Sequence, residues 1–522
     1  MRMDKLVTQI VVVGGGTAGW LAACRLAAAA DPSARDRLSV TLVESPDVAT
    51  LGVGEGTWPT IRGTLQSVGI READFLSACD ASFKQGSRFD GWRDGSPSDS
   101  YYHPFNLPPA VSFDDLVAAW QSAAPATPFA EFACLQPELC GLDLAPRQRA
   151  MPDYAGAVNY AYHLDAVKLA TLLRDHGVNR LGIRHVRDHV TGVAVHEDGD
   201  IAAVRTRDHG DIAGDLFVDC TGHAALLIGG HFNVPFIDRS RELFNDRALA
   251  VQVPVAADSA IASFTNATAH AAGWTWDIGL PTRRGIGCVY SSAHIDDAAA
   301  EAALADYLSI KAPGVSLDAL SPRTLRFRSG HRERFWQRNV LAVGQAAGFL
   351  EPLEASAIVM IELALDALVA NFPRTRAVMN VQAGRFNALF RYRWDRIVEF
   401  LKLHYVLSRR EEPYWRDHRE PAGVPQRLAD ALRVWECQAP SDFDLGGVNE
   451  VFPAASYAYI LYGMGFAAPQ AGPLTAHRTG TALDATRQVA ARGRTLAASL
   501  QTNRAYLTAL RDQNKTPEIV QG

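Results

Sequence analysis

The sequence has no Cys-x-x-Cys pair, no apolar run of membrane-spanning length, no basic block, no internal repeat and no low-complexity linker. Each absence removes a class of function. Seven cysteines, an odd number scattered from Cys24 to Cys437, supply neither a disulfide framework nor a zinc-ligand spacing; they point to a reducing, cytoplasmic location and to no metal site. Without about 20 consecutive apolar residues, no membrane span is expected. A net charge of −6 with no basic stripe leaves nothing to track a phosphate backbone, so nucleic acid is not an expected partner. The opening MRMDKLVTQIVVV puts basic residues ahead of an apolar run, as a signal peptide does. That run is short and ends in a glycine turn, which reads as a first strand.

What the chain does have is size and apolar content: 522 residues, 48% hydrophobic, enough for a large core divided between lobes. Its organisation begins at IVVVGGGTAGW, residues 10–20. Ile10 to Val13 are apolar at consecutive positions, as a parallel strand buried on both faces requires. Gly14, Gly16 and Gly19 follow at Gly-x-Gly-x-x-Gly spacing, which serves a tight turn, a close backbone approach to pyrophosphate, and close strand–helix packing. Thr17 and Ala18 open the helix, whose N-terminal N–H groups and dipole favour an anion. A second strand, LSVTLV at 38–43, ends at Glu44, placed to accept from ribose hydroxyls. An acidic residue there suits FAD or NAD better than NADP.

Further along, LGVGEGTWPTIRGTL at 51–65 is a glycine loop running into a helix near Pro59, either pressed against a ligand or an ordinary surface loop. Lys84 stands near Phe83, Phe89 and Trp92, a setting that can desolvate an ammonium, although most lysines are simply solvated. Tyr102, His103 and Phe105 suit an aromatic pocket or core filling. Residues 122–155 read as an irregular excursion, and AYHLDAVKLATLLRDHG at 161–177 as one amphipathic helix stopping at Gly177. Residues 190–222 read as an inserted β-meander with FVDCTG returning to the nucleotide domain. Trp274 and Trp276 share one face of an extended segment, as core packing or as a wall. Residues 340–358 repeat the opening design, with a turn at Gly344 and a helix from near Glu354 on which Glu362 and Asp366 form a polar face. The expected fold is α/β: a doubly wound, Rossmann-like domain with an inserted β-sheet over 1–372, and a mainly helical lobe, 373–522, covering a substrate cleft.

Taken together, these segments resemble the flavin-dependent halogenases, in their tryptophan halogenase branch, from about residue 9 to residue 510. GGGTAGW is similar to that family's FAD fingerprint, GVGEGTWP to its second flavin segment, and FVDCTG and VGQAAGFLEPLE to its later cofactor segments. The resemblance puts Lys84, in SFKQGSRFDGW, on the family's catalytic lysine and Glu354, in EPLEAS, on its catalytic glutamate. Trp274, Trp276 and Ile278 fall on its Trp-x-Trp-x-Ile-Pro signature, and His103 and Phe105 on positions that contact the aromatic substrate. It implies FAD supplied reduced by a separate NAD(P)H-dependent flavin reductase, and a chloride or bromide ion on the N–H groups of Ser356 and Ala357. Hypohalous acid made from dioxygen and halide would then pass a wall of Trp274 and Trp276 to a small, electron-rich aromatic, held by Lys84 and assisted by Glu354.

Three departures bear on the substrate. The signature's proline is Gly279 here, with Pro281 displaced by two; the usual Ser-Thr-Gly after the glutamate is Ala355, Ser356 and Ala357. In SDFDLGGVNEVFPAASYAYILYGMG, residues 441–465, the tyrosine pair and acids that clamp free tryptophan have no counterpart. The expected substrate is indole, a simple indole derivative or a phenol rather than free tryptophan. Two rival readings share the FAD fold: a flavin monooxygenase or oxidoreductase, against which Lys84, Glu354 and the paired tryptophans count, and a drifted flavin-binding protein, which Gly279 and Ala355 allow.

Overall fold

A computed structural model describes residues 5–31, 33, 38–48, 52, 54–447, 450–469 and 478–515. Leu51 and Val53 of the second glycine segment, and Val448 and Asn449 of the 441–465 stretch, lie outside the described residues. The strand Gln9–Val13 is an inner strand of a six-stranded sheet, ordered Trp336–Gln337, Val340–Ala342, Leu216–Asp219, Gln9–Val13, Ser39–Glu44, Arg184–Arg187. All its pairings are parallel except the terminal Trp336–Gln337 hairpin. Ile10 to Val13 are buried, as their unbroken apolar run requires, because helices cover the sheet. The alanine-rich helix Thr17–Ala29 packs against the helices Ala166–Asn179 and Ser356–Ala370, small side chains permitting close approach. The meander is a separate sheet of Val190–Val195, Ile201–Thr206 and Asp211–Ala213. FVDCTG then returns beside the first strand, with Ile10 opposite Leu216 and Val13 opposite Asp219. The buried Asp219 carboxylate fixes the turn that follows, accepting from the N–H groups of Leu227 and Ile228 at 2.9 and 2.8 Å.

A seven-stranded sheet includes the expected tryptophan strand Gly273–Gly279 and ends in Thr265–His270, Gly86–Asp90 and Ser100–Pro104. Beside it, Glu55–Gly56 and Ser82–Lys84 flank Ala161–Leu164 in a small antiparallel sheet. The residues Ala161 to Leu164, expected to begin a helix, are therefore a strand. All four are buried, and Asp165 resets the backbone: its Oδ1 accepts from Val167 and Lys168 N–H at 3.0 and 3.1 Å, so the helix starts at Ala166 and runs to Asn179. The expected excursion at 122–155 contains short helices, Phe129–Ala133 and Gln136–Gly141, which pack against the distant helix Thr479–Ser499. Among the described residues no helix is long and apolar enough to cross a membrane.

Glu362 does not share a solvated face with Asp366. It is buried, with the Thr60 hydroxyl donating to its carboxyl at 2.8 Å and Thr64 to the other oxygen, while Asp366 reaches out to Arg25. Burial pushes the Glu362 carboxyl up to about 7, against the opposing effect of the two hydroxyls. The folded chain thus keeps a proton that the unfolded chain releases near 4.5; the stability this gives is full below 4.5 and is lost as pH rises to about 7. Glu362→Gln is expected to remove the loss, improving stability relative to the parent by about 2 to 3 kcal/mol between roughly pH 5 and pH 8. Thermal midpoints of both proteins at the two pH values measure it.

Candidate active site

The cofactor end is built from the first turn. Gly14 has φ +113, and a Cβ there would lie 2.2 Å from the Cys220 carbonyl oxygen, so the fold itself demands glycine. Gly16 differs: nothing lies within 4 Å of the place its Cβ would occupy. This open space at the start of Thr17–Ala29 is where a pyrophosphate fits. Gly19 abuts the Gly14 carbonyl, and Gly344 lies against Ala18, bringing the second glycine turn to the same helix start. Glu44, at the end of its strand, folds over Gly15 and accepts from His185 Nε2 at 2.8 Å. The residues present fit a dinucleotide with a free ribose.

The other end of the site centres on Lys84, the last residue of Ser82–Lys84. It is 1% exposed, and its ammonium lies 5.3 Å from the Phe105 ring centroid. Burial pulls its pKa from 10.5 down to about 8, with the Glu354 carboxylate holding it up in part. Glu354, equally buried, is on the loop before Ser356–Ala370; Ala355 turns the chain into that helix with φ +53, an uncommon conformation for a residue with a Cβ. His103 Nδ1 donates to Glu354 Oε1 at 2.9 Å, and His404 Nε2 lies 3.2 Å from the same oxygen, outside hydrogen-bond alignment. Burial would raise this carboxyl, but the two imidazoles outweigh it and bring it down to about 2. Lys84 and Glu354 are thus coupled without touching: among the described residues no ion pair within 4.0 Å joins them.

Around this pair the structure gathers side chains that motif reading passed over. Trp58 Nε1 donates to the Glu354 carbonyl at 2.7 Å, and its ring stands 5.3 Å from Phe105 and 5.1 Å from Phe452. Phe452 stacks on Phe400 at 3.7 Å. His103 Nε2 meets the Ser456 hydroxyl at 2.9 Å and His404 Nδ1 the Tyr101 hydroxyl at 3.0 Å, so each imidazole is oriented from behind. Trp58 was visible inside GVGEGTWP; His404 sits in the long helix Arg376–Val406 with no local pattern to mark it. Trp274 and Trp276 are both buried, 6.4 Å apart, and among the described residues neither indole N–H has an acceptor. Trp274 joins Trp92, which in turn contacts Phe89 and His404, so the tryptophan strand reaches the back of the Glu354 site. At the start of Ser356–Ala370, Ser356 is buried and Ala357 exposed. Among the described residues no cluster of His, Cys, Asp and Glu could hold a metal ion, and all seven thiols are free.

The tryptophan halogenase family profile matches residues 9–480. Tryptophan 6-halogenase SttH of Streptomyces toxytricini is 35% identical over 480 residues, covering 88% of this chain and 89% of its own. The crystal structure of a tryptophan halogenase from Shewanella frigidimarina superposes with a TM-score of 0.94 at 45% identity, over 98% of this chain and 99% of that one. Xcc4156, a flavin-dependent halogenase from Xanthomonas campestris, superposes with a TM-score of 0.85 at 33% identity, over 97% and 99%. Sequence and shape agree over nearly the whole length, and the glycine turns, Lys84 and Glu354 all lie within the matched stretch: the chain belongs to the tryptophan halogenase family of flavin-dependent enzymes.

Proposed function

We propose that this enzyme uses reduced FAD, dioxygen and chloride or bromide to halogenate an electron-rich ring of the indole type, with Lys84 holding the oxidised halogen and Glu354 serving the ring. The observation that carries this reading is a buried ammonium and a buried carboxylate, coupled but apart, among aromatic side chains. Reduced FAD, when bound, supplies with dioxygen the two-electron oxidation that converts halide to hypohalous acid. Gly14, Gly16, Thr17, Ala18, Gly19 and Gly344 would hold its pyrophosphate side and Glu44 its ribose. The N–H groups of Ser356 and Ala357 would hold the halide at a helix N-terminus. A separate NAD(P)H-dependent reductase would supply the reduced flavin, and Trp274 and Trp276 would keep the substrate away from it.

At the Lys84 end the ring–halogen bond forms as the halogen–oxygen bond breaks, and the ring proton leaves; hypohalous acid and arene give haloarene and water. Lys84 N–H donates to the leaving oxygen, which makes the halogen more electrophilic. Glu354, with a pKa of about 2, is a weak base. It is also ionised at any working pH, and a cationic ring is so strong an acid that a weak base suffices. Its fixed negative charge stabilises that cation, the larger service in a water-poor site. Phe105 offers its face to the ring. His103, with both nitrogens engaged, offers its face too and keeps Glu354 ionised.

SttH and the Shewanella protein carry tryptophan in their names, which runs against the expectation that free tryptophan is excluded. Two carboxylates of the 441–465 stretch, Asp444 and Glu450, run the other way, because they are engaged at home. Asp444 accepts from Trp435 Nε1 at 3.1 Å and from Ser441 N–H at 2.8 Å, and Glu450 accepts from the Tyr392 hydroxyl. The indole ring is therefore the recognised unit, with indole preferred to tryptophan. The test offers both in competition to the purified protein with FAD, a flavin reductase, NADH and chloride or bromide, reading halogen isotope patterns by mass spectrometry. Halide-dependent haloindole is expected; hydroxylated product without halide would instead indicate a monooxygenase, and no turnover a drifted flavin binder. For the cofactor end, Gly16→Ala fills space that the fold leaves empty, so thermal stability should hold while FAD affinity falls at least about tenfold; equilibrium binding by flavin fluorescence checks it.

A further inference from the structure

Building on the assignment of Lys84 as the oxidant-holding group, we propose that Thr265, oriented by His163, is a positioning residue that holds the Lys84 amine off Glu354 and so keeps open the gap in which hypohalous acid lodges. In the small sheet, Gly56 and Ser82 both stand opposite His163, and Lys84 stands opposite Ala161. Opposed residues in antiparallel strands share a face, and so do residues two apart, so Gly56, His163, Ser82 and Lys84 line one side of this sheet. Gly56 contributes space rather than a side chain. A carbon placed at its Cβ position would lie 3.1 Å from Lys84 Nζ, 3.4 Å from Thr265 Oγ1 and 3.5 Å from the Ala355 methyl. The ammonium and the hydroxyl, carried in on different sheets, therefore converge on the same pocket beside the start of Ser356–Ala370.

Behind the hydroxyl, His163 Nε2 lies 2.8 Å from Thr265 Oγ1. The imidazole is fully buried, and its Nδ1 has no hydrogen-bond partner among the described residues, so the threonine is its polar contact. Burial and the neighbouring Lys84 charge both hold His163 well below its usual pKa, so it stays neutral. A neutral imidazole can accept the threonine proton, leaving the oxygen lone pairs free for Lys84 N–H. The need for such an anchor follows from electrostatics. The charged group that acts on the lysine is Glu354, held in place by His103 and His404, and it pulls on a flexible four-carbon arm. A lysine that closed onto Glu354 would neutralise both groups and fill the space the oxidant must enter. Among the described residues no hydrogen bond joins Lys84 to Thr265; the two face the same space at Gly56, and the bond forms as the site is loaded, as catalytic hydrogen bonds often tighten only in the working complex.

Thr265→Val removes the hydroxyl and keeps the shape. With FAD binding and thermal midpoint unchanged, halogenated product per flavin oxidised should fall at least tenfold, and the missing hypohalous acid should appear in a bulk chlorination scavenger. In the protein loaded with FAD and carrying labelled lysine, the Lys84 amine should titrate at higher pH than in the parent, because it now lies closer to Glu354; NMR reads this directly. Thr265→Ser should restore both yield and titration. Parent-like yield and titration in Thr265→Val, or a Thr265→Ser protein as defective as the valine variant, would overturn the proposal. Thr265→Ala serves the same comparison if the valine variant does not fold. Retention of product by a Lys84 variant would instead sink the underlying reading, so the two failures are distinguishable.

Discussion

Replacing Lys84 with methionine is expected to cut halogenated product at least about a hundredfold, the scale on which loss of a preorganised donor is felt in a water-poor site. FAD binding and the rate of flavin oxidation should stay near parent values, because the glycine turns and Glu44 belong to the other sheet. Methionine matches the apolar stem of lysine and leaves the Phe105 contact intact. Glu354 keeps its His103 and His404 partners, so the fold should survive. The decisive measurement is the ratio of haloarene formed to flavin oxidised, with a scavenger in the bulk; a ratio near that of the parent would show that another group carries the oxidant. The parent's pH profile sharpens the assignment. With a pKa of about 8, roughly one lysine in ten is neutral at pH 7. If the amine must be neutral to form a haloamine, the rate climbs through pH 8; if the ammonium must donate to hypohalous acid, it declines there.

Glu354→Gln is expected to slow halogenation on the order of a hundredfold, again without emptying the flavin site. The amide has nearly the carboxylate's shape but neither its charge for a cationic ring nor a site for the departing proton. A second effect carries a definite sign. Glu354 is what holds the Lys84 pKa up against burial, so in the variant the lysine titrates below about 8 and its limb in the pH–rate profile moves to lower pH. The profiles of parent and variant, measured under single-turnover conditions, test both. An unchanged rate would remove Glu354 from the reaction, and an unmoved limb would show that the two groups are not coupled.

Much of the site is legible in the chain itself. The first strand, its glycine turn, the second strand and its terminal acid were legible because they are local: consecutive apolar residues, fixed glycine spacing and a helix start lie within one βαβ unit. The glutamate of EPLEAS and the lysine of SFKQG were legible by resemblance, as residues in short, distinctive surroundings. The errors came where the neighbour that decides is remote. Glu362 reads as solvated next to Asp366, yet the hydroxyls that accept it into the interior come from Thr60 and Thr64, far earlier in the chain. Ala161 to Leu164 continue a helical pattern, yet strands on both sides claim them.

By itself the sequence determined the nucleotide-binding unit, the family, and which lysine and carboxylate fall on its motifs, since these depend on side-chain type and short-range spacing. Tertiary structure alone decided that Lys84 and Glu354 are buried near each other without forming an ion pair, that His103 and His404 keep the carboxylate ionised, and that Thr265, paired with His163, faces the same space at Gly56 as the amine. Charge state and separation are properties of burial and of partners drawn from distant segments. In this molecule two strands, a loop and a long helix must meet before either group acquires them.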